Sequence, residues 1–272
     1  MSTQNPTILI TNDDGIDSPG LWAAADALAA VGNVLVVAPR DQSTSAGRST
    51  PPASDELIEQ RTFRYHDVPW TGYAVGGSPA QTVLLALLEI LPETPDLVVS
   101  GINYGLNIGT GITNSGTLGA AFEAADMKVP AMAISLETTW HQIFSHSNEV
   151  DFSVAAYFTA FFARLYLETP QPADVNLIKI EVPSEATPST PWELTRLSPD
   201  PFYIPNILPE KAWNKPRKIS FTMQSQKEFF QKGTDAYAVM VKRVVSVTPL
   251  SLDMTSRVDL GELERQMVAR IS

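Results

Sequence analysis

The sequence predicts an α/β protein with a doubly wound, mostly parallel sheet, followed by a C-terminal extension of strands and helices. Short apolar runs alternate with segments of helical periodicity over the first half of the chain. The runs are apolar throughout, as expected for parallel strands that helices cover on both faces. The chain has 272 residues and is 44% hydrophobic, which is ample for a large core. We expect the core in residues 1–182 and the extension in residues 183–272.

The first forty residues have the pattern of a βαβ unit. Residues 8–11 and 34–38 are apolar strands. Between them, Ser18 and Pro19 are typical of a helix start, and Gly32 of a helix end. Ligands of such sheets bind beyond the carboxyl ends of the strands. The residues that follow each strand are therefore candidates for a functional site.

Two adjacent carboxylates, Asp13 and Asp14, come directly after the first strand. Neighbouring side chains of a regular strand point to opposite faces, so the pair converges only if the backbone turns, and Gly15 permits that turn. Unpaired carboxylates held together repel each other, and a cation between them relieves the repulsion. The pair therefore indicates a hard metal ion. The alternative interpretation is that both residues simply cap the next helix.

Composition excludes several classes of function. The net charge of −11 and the lack of a basic cluster argue against a partner that is polymeric nucleic acid. The chain has no cysteine, which excludes disulfides, thiolate nucleophiles and iron–sulfur centres. No apolar run reaches membrane length, and the polar N-terminus does not resemble a signal peptide. We expect a cytoplasmic protein that does not bind membranes.

A polar loop at residues 39–49, rich in hydroxyl side chains, follows the second strand. Most such loops bind nothing, but a hydroxyl here could reach a metal held by Asp13. Residues 50–74 predict a peripheral hairpin or flap with His66 on the surface. Ser78 and Pro79 then predict the start of a helix.

A glycine-rich loop at residues 101–117 joins a predicted strand at 96–100 to a predicted helix at 118–127, and a further strand is predicted at 131–135. Backbone N–H groups at a helix N-terminus favour anions, so phosphate is the obvious ligand. Simple backbone packing is the alternative. The loop has neither a P-loop ending nor a dinucleotide-binding glycine pattern.

Together these features suggest metal-assisted hydrolysis of a phosphate ester. His141 and His146 are interpreted as solvated loop residues, because their spacing does not place them on one helix face. We find no serine–histidine–aspartate triad and no zincin signature.

A set of separated motifs follows in order along the chain: Thr11-Asn12-Asp13-Asp14-Gly15-Ile16, Ser18-Pro19-Gly20, Ala38-Pro39, Gly77-Ser78-Pro79-Ala80, Ser100-Gly101-Ile102-Asn103-Tyr104-Gly105, and Ser115-Gly116-Thr117 with Gly119-Ala120-Ala121. In these motifs, over most of residues 7–136 and again at 234–250, the chain resembles the survival protein E (SurE) family. The resemblance implies a Rossmann-like core and a metal-dependent nucleotidase that hydrolyses nucleoside 5′- and 3′-monophosphates.

The resemblance also implies the metal ligands. These are Asp13, Asp14 and Asn103, with a fourth ligand from the hydroxyl loop. Family members usually have serine at that place, where this chain has Thr44, with Ser45 as the alternative. One magnesium or manganese ion is expected, because every ligand is an oxygen.

In the expected mechanism, the end of the glycine-rich loop holds the phosphate while water attacks in line. Asn114, Ser115, Gly116 and Thr117 are the expected substrate-binding residues, and Ser115 and Asp13 the catalytic ones. That Asp13 accepts the proton of the water is a hypothesis. Asn114 stands where relatives often have an aromatic residue or histidine.

The last third of the chain carries fewer signals. Residues 151–168 predict a helix, residues 175–182 an alternating strand and residues 260–271 an amphipathic helix. The proline-rich stretch at 183–216 predicts an extended excursion that cannot form regular structure by itself, and its aromatic residues are interpreted as contact area against the body or against a second subunit. They are Trp192, Phe202, Tyr203 and Trp213. The resemblance implies an arm exchanged between subunits of a homodimer or homotetramer. Relatives also tend to have glycine and an aromatic residue in place of Lys242-Arg243.

Two other functions remain open at this point. A phosphatase that forms an aspartyl-phosphate also places a carboxylate at the first strand end, although the Asp-x-Asp pattern is absent. A nonenzymatic nucleotide-binding module would hold phosphate without cleaving it. Phosphate release from AMP or GMP with and without Mn²⁺ separates this last class from a hydrolase.

Overall fold

The computed structural model describes residues 5–143, 146–147, 149–206, 214, 216 and 219–270. The strands of this part of the chain are β1 (Thr7–Thr11), β2 (Asn33–Pro39), β3 (Ile58–Tyr65), β4 (Val68–Val75), β5 (Leu97–Tyr104), β6 (Ala131–Leu136), β7 (Leu177–Val182), β8 (Trp192–Leu194), β9 (Tyr203–Pro205), β10 (Phe221–Met223) and β11 (Val245–Leu250). The α-helices are α1 (Pro19–Leu28), α2 (Pro79–Leu85), α3 (Gly116–Asp126), α4 (Ser153–Glu168), α5 (Asp235–Tyr237) and α6 (Leu260–Val268).

Nine of these strands form one sheet in the order β3-β4-β2-β1-β5-β6-β7-β11-β8. The six strands from β4 to β7 are parallel, whereas β3 and β11 pair antiparallel with β4 and β7. Ile8 and Ile10 of β1 pack on one face with α1 and α4, and Leu9 packs on the other with α2 and α3. The α/β prediction with helices on both faces is therefore confirmed.

Local signals gave the right elements, with small shifts at their ends. Ser18 is the N-cap of α1 and Pro19 its first residue, but α1 ends at Leu28 instead of Gly32. Ser78 and Gln81 form a capping box at the start of α2. The predicted helix at 118–127 begins two residues earlier, at Gly116.

The hairpin predicted in residues 50–74 is confirmed as β3 and β4, and its turn exposes His66 as expected. β4 is more than a peripheral flap, however, because it pairs in parallel with β2 and extends the main sheet.

The proline-rich stretch at 183–216 was predicted not to form regular structure by itself, and in the structure it forms β8 and β9 only by pairing with strands outside it. β8 pairs with β11 at the sheet edge, and β9 pairs with β10 in a separate two-stranded sheet. Distant strands supply the hydrogen-bonding partners that the stretch lacks locally. Trp192 packs edge-on against Phe162 of α4, as expected for contact area, whereas Trp213 lies outside the described residues.

Arg243 belongs to the Lys242-Arg243 pair, which stands where the resembled family tends to have glycine and an aromatic residue. Its φ of +57° is left-handed, a conformation that favours glycine. The guanidinium pairs with Glu137, which directly follows β6, and with Glu185, which lies shortly after β7. Arginine therefore adds two ion pairs at a position where the backbone favours glycine.

Candidate active site

Asp13 and Asp14 lie in a tight turn directly after β1. The side chain of Asn12 closes this turn, because its Nδ2 donates to the Gly15 carbonyl at 3.0 Å and its Oδ1 accepts from the Gly15 N–H at 3.1 Å. Gly15 has a φ of +94°, so the turn predicted there is confirmed. Because the N-cap of α1 is Ser18, the two carboxylates do not cap that helix, and the capping interpretation is wrong.

Both carboxylates are almost completely buried, with exposed fractions of 3% for Asp13 and 1% for Asp14. Thr117 donates to Oδ1 of Asp13 at 2.6 Å, while Gln42 Nε2 and the Tyr104 N–H donate to Asp14 at 3.0 and 3.3 Å. Burial raises the pKa of Asp13 to about 6, although the Thr117 hydroxyl opposes this rise. Burial and repulsion from Asp13 also raise the pKa of Asp14.

Within the described residues, no Lys or Arg forms an ion pair with either carboxylate. Two buried negative charges without a cation fit a divalent metal ion, whose preferred ligands are oxygens. Among all the residues that the structure describes, no group of three or more His, Cys, Asp or Glu side chains is arranged to hold a metal ion. A metal here would therefore be held by the two carboxylates and by neutral oxygens.

Asn103, at the end of β5, is the nearest source of a neutral oxygen by topology, because β5 is the neighbour of β1. Its Nδ2 donates to the Gly105 carbonyl at 2.7 Å, which leaves Oδ1 to act as a ligand. Asn103 lines the same cavity as Asp13. The structure thus brings these two predicted ligands to one place.

The hydroxyl loop is fastened beside Asp13 from two sides. The Ser43 N–H donates to the Asp13 carbonyl at 2.7 Å, and the Gly47 N–H donates to the Asn114 carbonyl at 3.0 Å. Arg48 pairs with Glu123 and Asp126 of α3. Thr44 and Ser45 both line the cavity that contains Asp13, so the choice between them as a fourth ligand stays open.

The N-terminus of α3 lies directly against Asp13. A Cβ added to Gly116 would be 2.6 Å from the Asp13 Cβ, so only glycine allows this approach. The backbone N–H groups of Gly116 and Thr117 favour the charged form of Asp13. Ser115 is the N-cap, and its Oγ accepts from the Leu118 N–H at 3.2 Å. The residues of the predicted anion cradle thus form a helix N-terminus, and this N-terminus faces a carboxylate of the chain itself.

A cavity of about 670 Å³ opens beside these groups. Its polar lining includes Asp13, Asn103, Asn107, Asn114 and Ser115. Its aromatic lining consists of Tyr104, Trp140, Phe202, Tyr203 and Phe221. The C-terminal extension contributes Phe202, Tyr203 and Phe221, so it completes the wall of the cavity.

The sequence was compared with protein families and with known proteins. The family model described as "Survival protein SurE" matches residues 8–202. The chain belongs to the SurE family. A protein of Thermococcus kodakarensis named 5′-nucleotidase SurE is 41% identical over 265 residues, which are 97% of this chain and 99% of the relative. A protein of the same name from Methanocaldococcus jannaschii is 40% identical over 255 residues, 91% of this chain and 92% of the relative.

The solved structure of the SurE protein from Aquifex aeolicus has the same fold. It aligns with a TM-score of 0.75 at 27% identity, and the alignment covers 98% of this chain and 100% of that one. Membership of the SurE family implies dependence on a divalent metal ion in general. None of the helices in the described ranges has the length and apolar composition needed to cross a membrane.

Sequence reasoning missed several residues at this SurE site. Gln42 bridges Asp14 and the Ile143 carbonyl, and no local pattern marks it. Phe202 and Tyr203 provide contact area against the body, as expected, and they also form part of the cavity wall. Their aromatic character within a proline-rich stretch was the available signal.

The two loop histidines differ from each other. His141 is exposed, as expected. His146 is partly buried and stacks on Tyr104 with ring centroids 6.5 Å apart, so its interpretation as a solvated residue is wrong. Neither histidine lines the cavity.

Proposed function

We propose that this protein is a metal-dependent phosphomonoesterase that hydrolyses nucleoside 5′-monophosphates to nucleoside and phosphate. The observation that carries the proposal is a pair of buried carboxylates without a Lys or Arg partner among the described residues, of which Asp13 faces the N-terminus of α3 and lines a cavity of about 670 Å³. The names of the relatives, 5′-nucleotidase SurE, support the same activity.

Asp13, Asp14 and Asn103, with Thr44 or alternatively Ser45, would hold one divalent ion. Magnesium or manganese suits a ligand set made only of oxygens. Such an ion, when bound, supplies neutralisation of phosphoryl charge and a lower pKa for water. Asp14 is held in place for this role by Gln42.

Phosphate binding is assigned to Asn114, Ser115, Gly116 and Thr117. The Ser115 Oγ already accepts from the Leu118 N–H, so its own hydrogen is free to donate to a phosphate oxygen. The dipole of α3 favours negative charge at this end of the helix. Ser115 would thereby stabilise the charge that develops on the phosphoryl group as water attacks in line.

We further infer that Asp13 accepts a proton from the attacking water. Asp13 lines the cavity beside the N-terminus of α3, so its carboxylate can reach a water that attacks a phosphate held there. The reaction forms a bond between phosphorus and the water oxygen and breaks the bond between phosphorus and the ester oxygen. The proton taken up by Asp13 balances the proton that the ester oxygen needs to leave as the nucleoside hydroxyl.

The aromatic lining fits the base of a nucleotide. Trp140 and Tyr203 lie with ring centroids 6.2 Å apart, and Phe221 lines the same cavity. Aromatic side chains stack on any base, because every base has a π-face. We therefore expect tolerance for different bases.

One assay tests the proposal. Phosphate release from AMP, GMP and 3′-AMP is measured after treatment with EDTA, and again with Mn²⁺ or Mg²⁺ restored. We expect release from the 5′-monophosphates only with metal, and its loss in Asp13→Asn. Release without any metal contradicts the proposal, binding without release supports a nonenzymatic module, and a trapped phosphorylated Asp supports the aspartyl-phosphate mechanism.

The C-terminal extension is also proposed to form contacts between subunits of a homodimer or homotetramer. Helix α6 carries an apolar side, Leu260, Leu263 and Met267, that is exposed in the single chain. Light scattering after gel filtration tests this: a monomer with all 272 residues present contradicts it.

A further inference from the structure

A fully buried lysine, Lys179 on β7, lies between two fully buried carboxylates. Its Nζ is 3.3 Å from Glu181 Oε1 and 3.0 Å from Asp235 Oδ2. Burial lowers the pKa of Lys179, but the two carboxylates outweigh burial and raise it overall. None of the three residues lines the cavity, and the function proposed above gives them no role.

The two carboxylates also anchor the glycine-rich loop. Glu181 Oε2 accepts from the Asn107 N–H at 2.9 Å, and Asp235 Oδ2 accepts from the Gly109 N–H at 3.0 Å. Hydrogen bonds to charged acceptors are the stronger kind, and here they are shielded from water. The buried lysine therefore neutralises the two groups that fix the backbone of this loop.

The side chain of Asn107 continues the connection towards Asp13. Its Nδ2 donates to Thr117 Oγ1 at 3.4 Å and to Ser135 Oγ at 3.1 Å, so both amide hydrogens are used. Thr117 has only one hydroxyl hydrogen. Because its oxygen accepts from Asn107, that hydrogen is directed to Asp13 Oδ1, at 2.6 Å.

We propose that Lys179 is a positioning residue: together with Glu181 and Asp235 it fixes Asn107, and through Asn107 and Thr117 it sets the orientation of Asp13. The effect on turnover rests on the function proposed above. The effect on metal affinity does not need turnover.

Glu181 allows a matched test that keeps the fold intact. Glu181→Gln retains an oxygen that accepts from the Asn107 N–H, whereas Glu181→Leu has no acceptor, and both leave Lys179 paired with Asp235. We expect Glu181→Leu to lower kcat for AMP about tenfold with little change in KM, and to weaken Mn²⁺ binding by about tenfold in calorimetry, as loss of an outer-shell partner does. Glu181→Gln should stay within about threefold of the wild type in both measurements.

A second test combines Lys179→Met with Asn107→Ala. If Lys179 acts through Asn107, the double variant should have the kcat of the more impaired single variant, because both substitutions break one connection. Arg243→Met is the control, since it removes partly exposed ion pairs with Glu137 and Glu185 without touching this connection.

The outcomes are distinct. Equal Mn²⁺ affinity in the Gln and Leu variants, or single effects that multiply in the double variant, overturns the proposal. If the wild type binds Mn²⁺ but releases no phosphate, the proposed function fails, and the Mn²⁺ affinities of the Glu181 variants and of Lys179→Met still decide the role of Lys179. A wild type that binds no Mn²⁺ overturns both.

Discussion

Two groups of charged side chains are buried in this protein, and they differ in whether they contain a cation. Lys179 lies between Glu181 and Asp235, and hydrogen bonds satisfy the carboxylate oxygens. Asp13 and Asp14 are as deeply buried but pair with no Lys or Arg among the described residues, and burial raises the pKa of both.

The presence or absence of a buried cation distinguishes charges that stabilise the structure from charges that serve a function. A buried ion pair that is hydrogen-bonded on all sides holds backbone in place, and it costs most when one partner is removed. A buried carboxylate pair without a cation destabilises the fold unless something binds to it. The second arrangement therefore makes sense only for a protein that recruits a cation from solution.

The largest expected effect is that substitutions in the two groups change the free energy of unfolding in opposite directions. In metal-free protein at pH 8, Asp13→Asn removes an unfavourable charge and should raise the free energy of unfolding by about 3 kcal/mol, from a pKa of about 6 against the usual 3.8. Lys179→Met should lower it by about 3–5 kcal/mol, because two buried carboxylates lose their cation. Urea unfolding in EDTA measures both, and a loss of stability in Asp13→Asn would break the comparison.

The increase in the free energy of unfolding expected from Asp13→Asn should depend on pH, which allows a second test of the comparison. A carboxylate whose pKa is higher in the folded state binds protons more tightly there, so stability falls as pH rises from about 4 to about 6. The stabilisation by Asp13→Asn should therefore be absent near pH 4 and complete above about pH 6 to 7. Thermal unfolding of both proteins across this range, each in EDTA, measures the difference. A gain that is already complete at pH 4 would contradict it, and Mn²⁺ should reverse the order of stability at pH 8.

Most of the fold and about half of the candidate site were predictable because their signals are local. The turn at Gly15, the cap at Ser115 and the strand ends are each readable within a few residues. The rule that parallel strands share a carboxyl edge then brings Asp13 near Asn103.

The remaining residues depend on contacts between distant segments. Lys179 and Glu181 look like the exposed positions of an alternating strand, but α3 packs over that face of β7 and both are fully buried. Phe221 reaches the cavity only because β10 pairs with β9. Periodicity reports how a strand is patterned, and it does not report which distant element covers the strand.

Gly116→Ala should have the next largest effect, which is expected in the activity. The added methyl would lie 2.6 Å from the Asp13 Cβ, so the N-terminus of α3 must move away from the carboxylate. A displacement of this kind at a catalytic group typically costs about 100-fold in rate. The measurement is kcat/KM for AMP with Mn²⁺.

The matched control is Gly261→Ala in the exposed helix α6, where the added Cβ meets nothing closer than 3.4 Å. It should leave kcat/KM unchanged. Normal activity in Gly116→Ala would show that the close approach of α3 to Asp13 is not needed for turnover.

Trp140→Ala tests the cavity wall and should have a smaller effect. Loss of stacking on a base should raise KM for AMP about tenfold, in line with about 1–3 kcal/mol for each stacked base. The KM for ribose 5-phosphate, which has no base, should not change. Trp192→Ala is the control, because Trp192 packs on Phe162 of α4 outside the cavity. Equal changes for the two substrates would mean that Trp140 supports the cavity without contacting the base.

Substitutions of Arg243 should have the smallest effect. They compare the ion pairs of its side chain with the conformational preference of its backbone. Its hydrogen bonds lower the pKa of Glu185 to about 2, yet the pair is partly exposed, so Arg243→Met should cost only about 1 kcal/mol, or about 2–4 °C in Tm. Arg243→Gly loses the same ion pairs but relieves a φ of +57°, which is worth about 1 kcal/mol for a residue with a side chain. Glycine should therefore be tolerated better than methionine, with kcat unchanged in both. If the order of the two Tm values is reversed, the ion pairs and the aliphatic stem outweigh the backbone preference at this position.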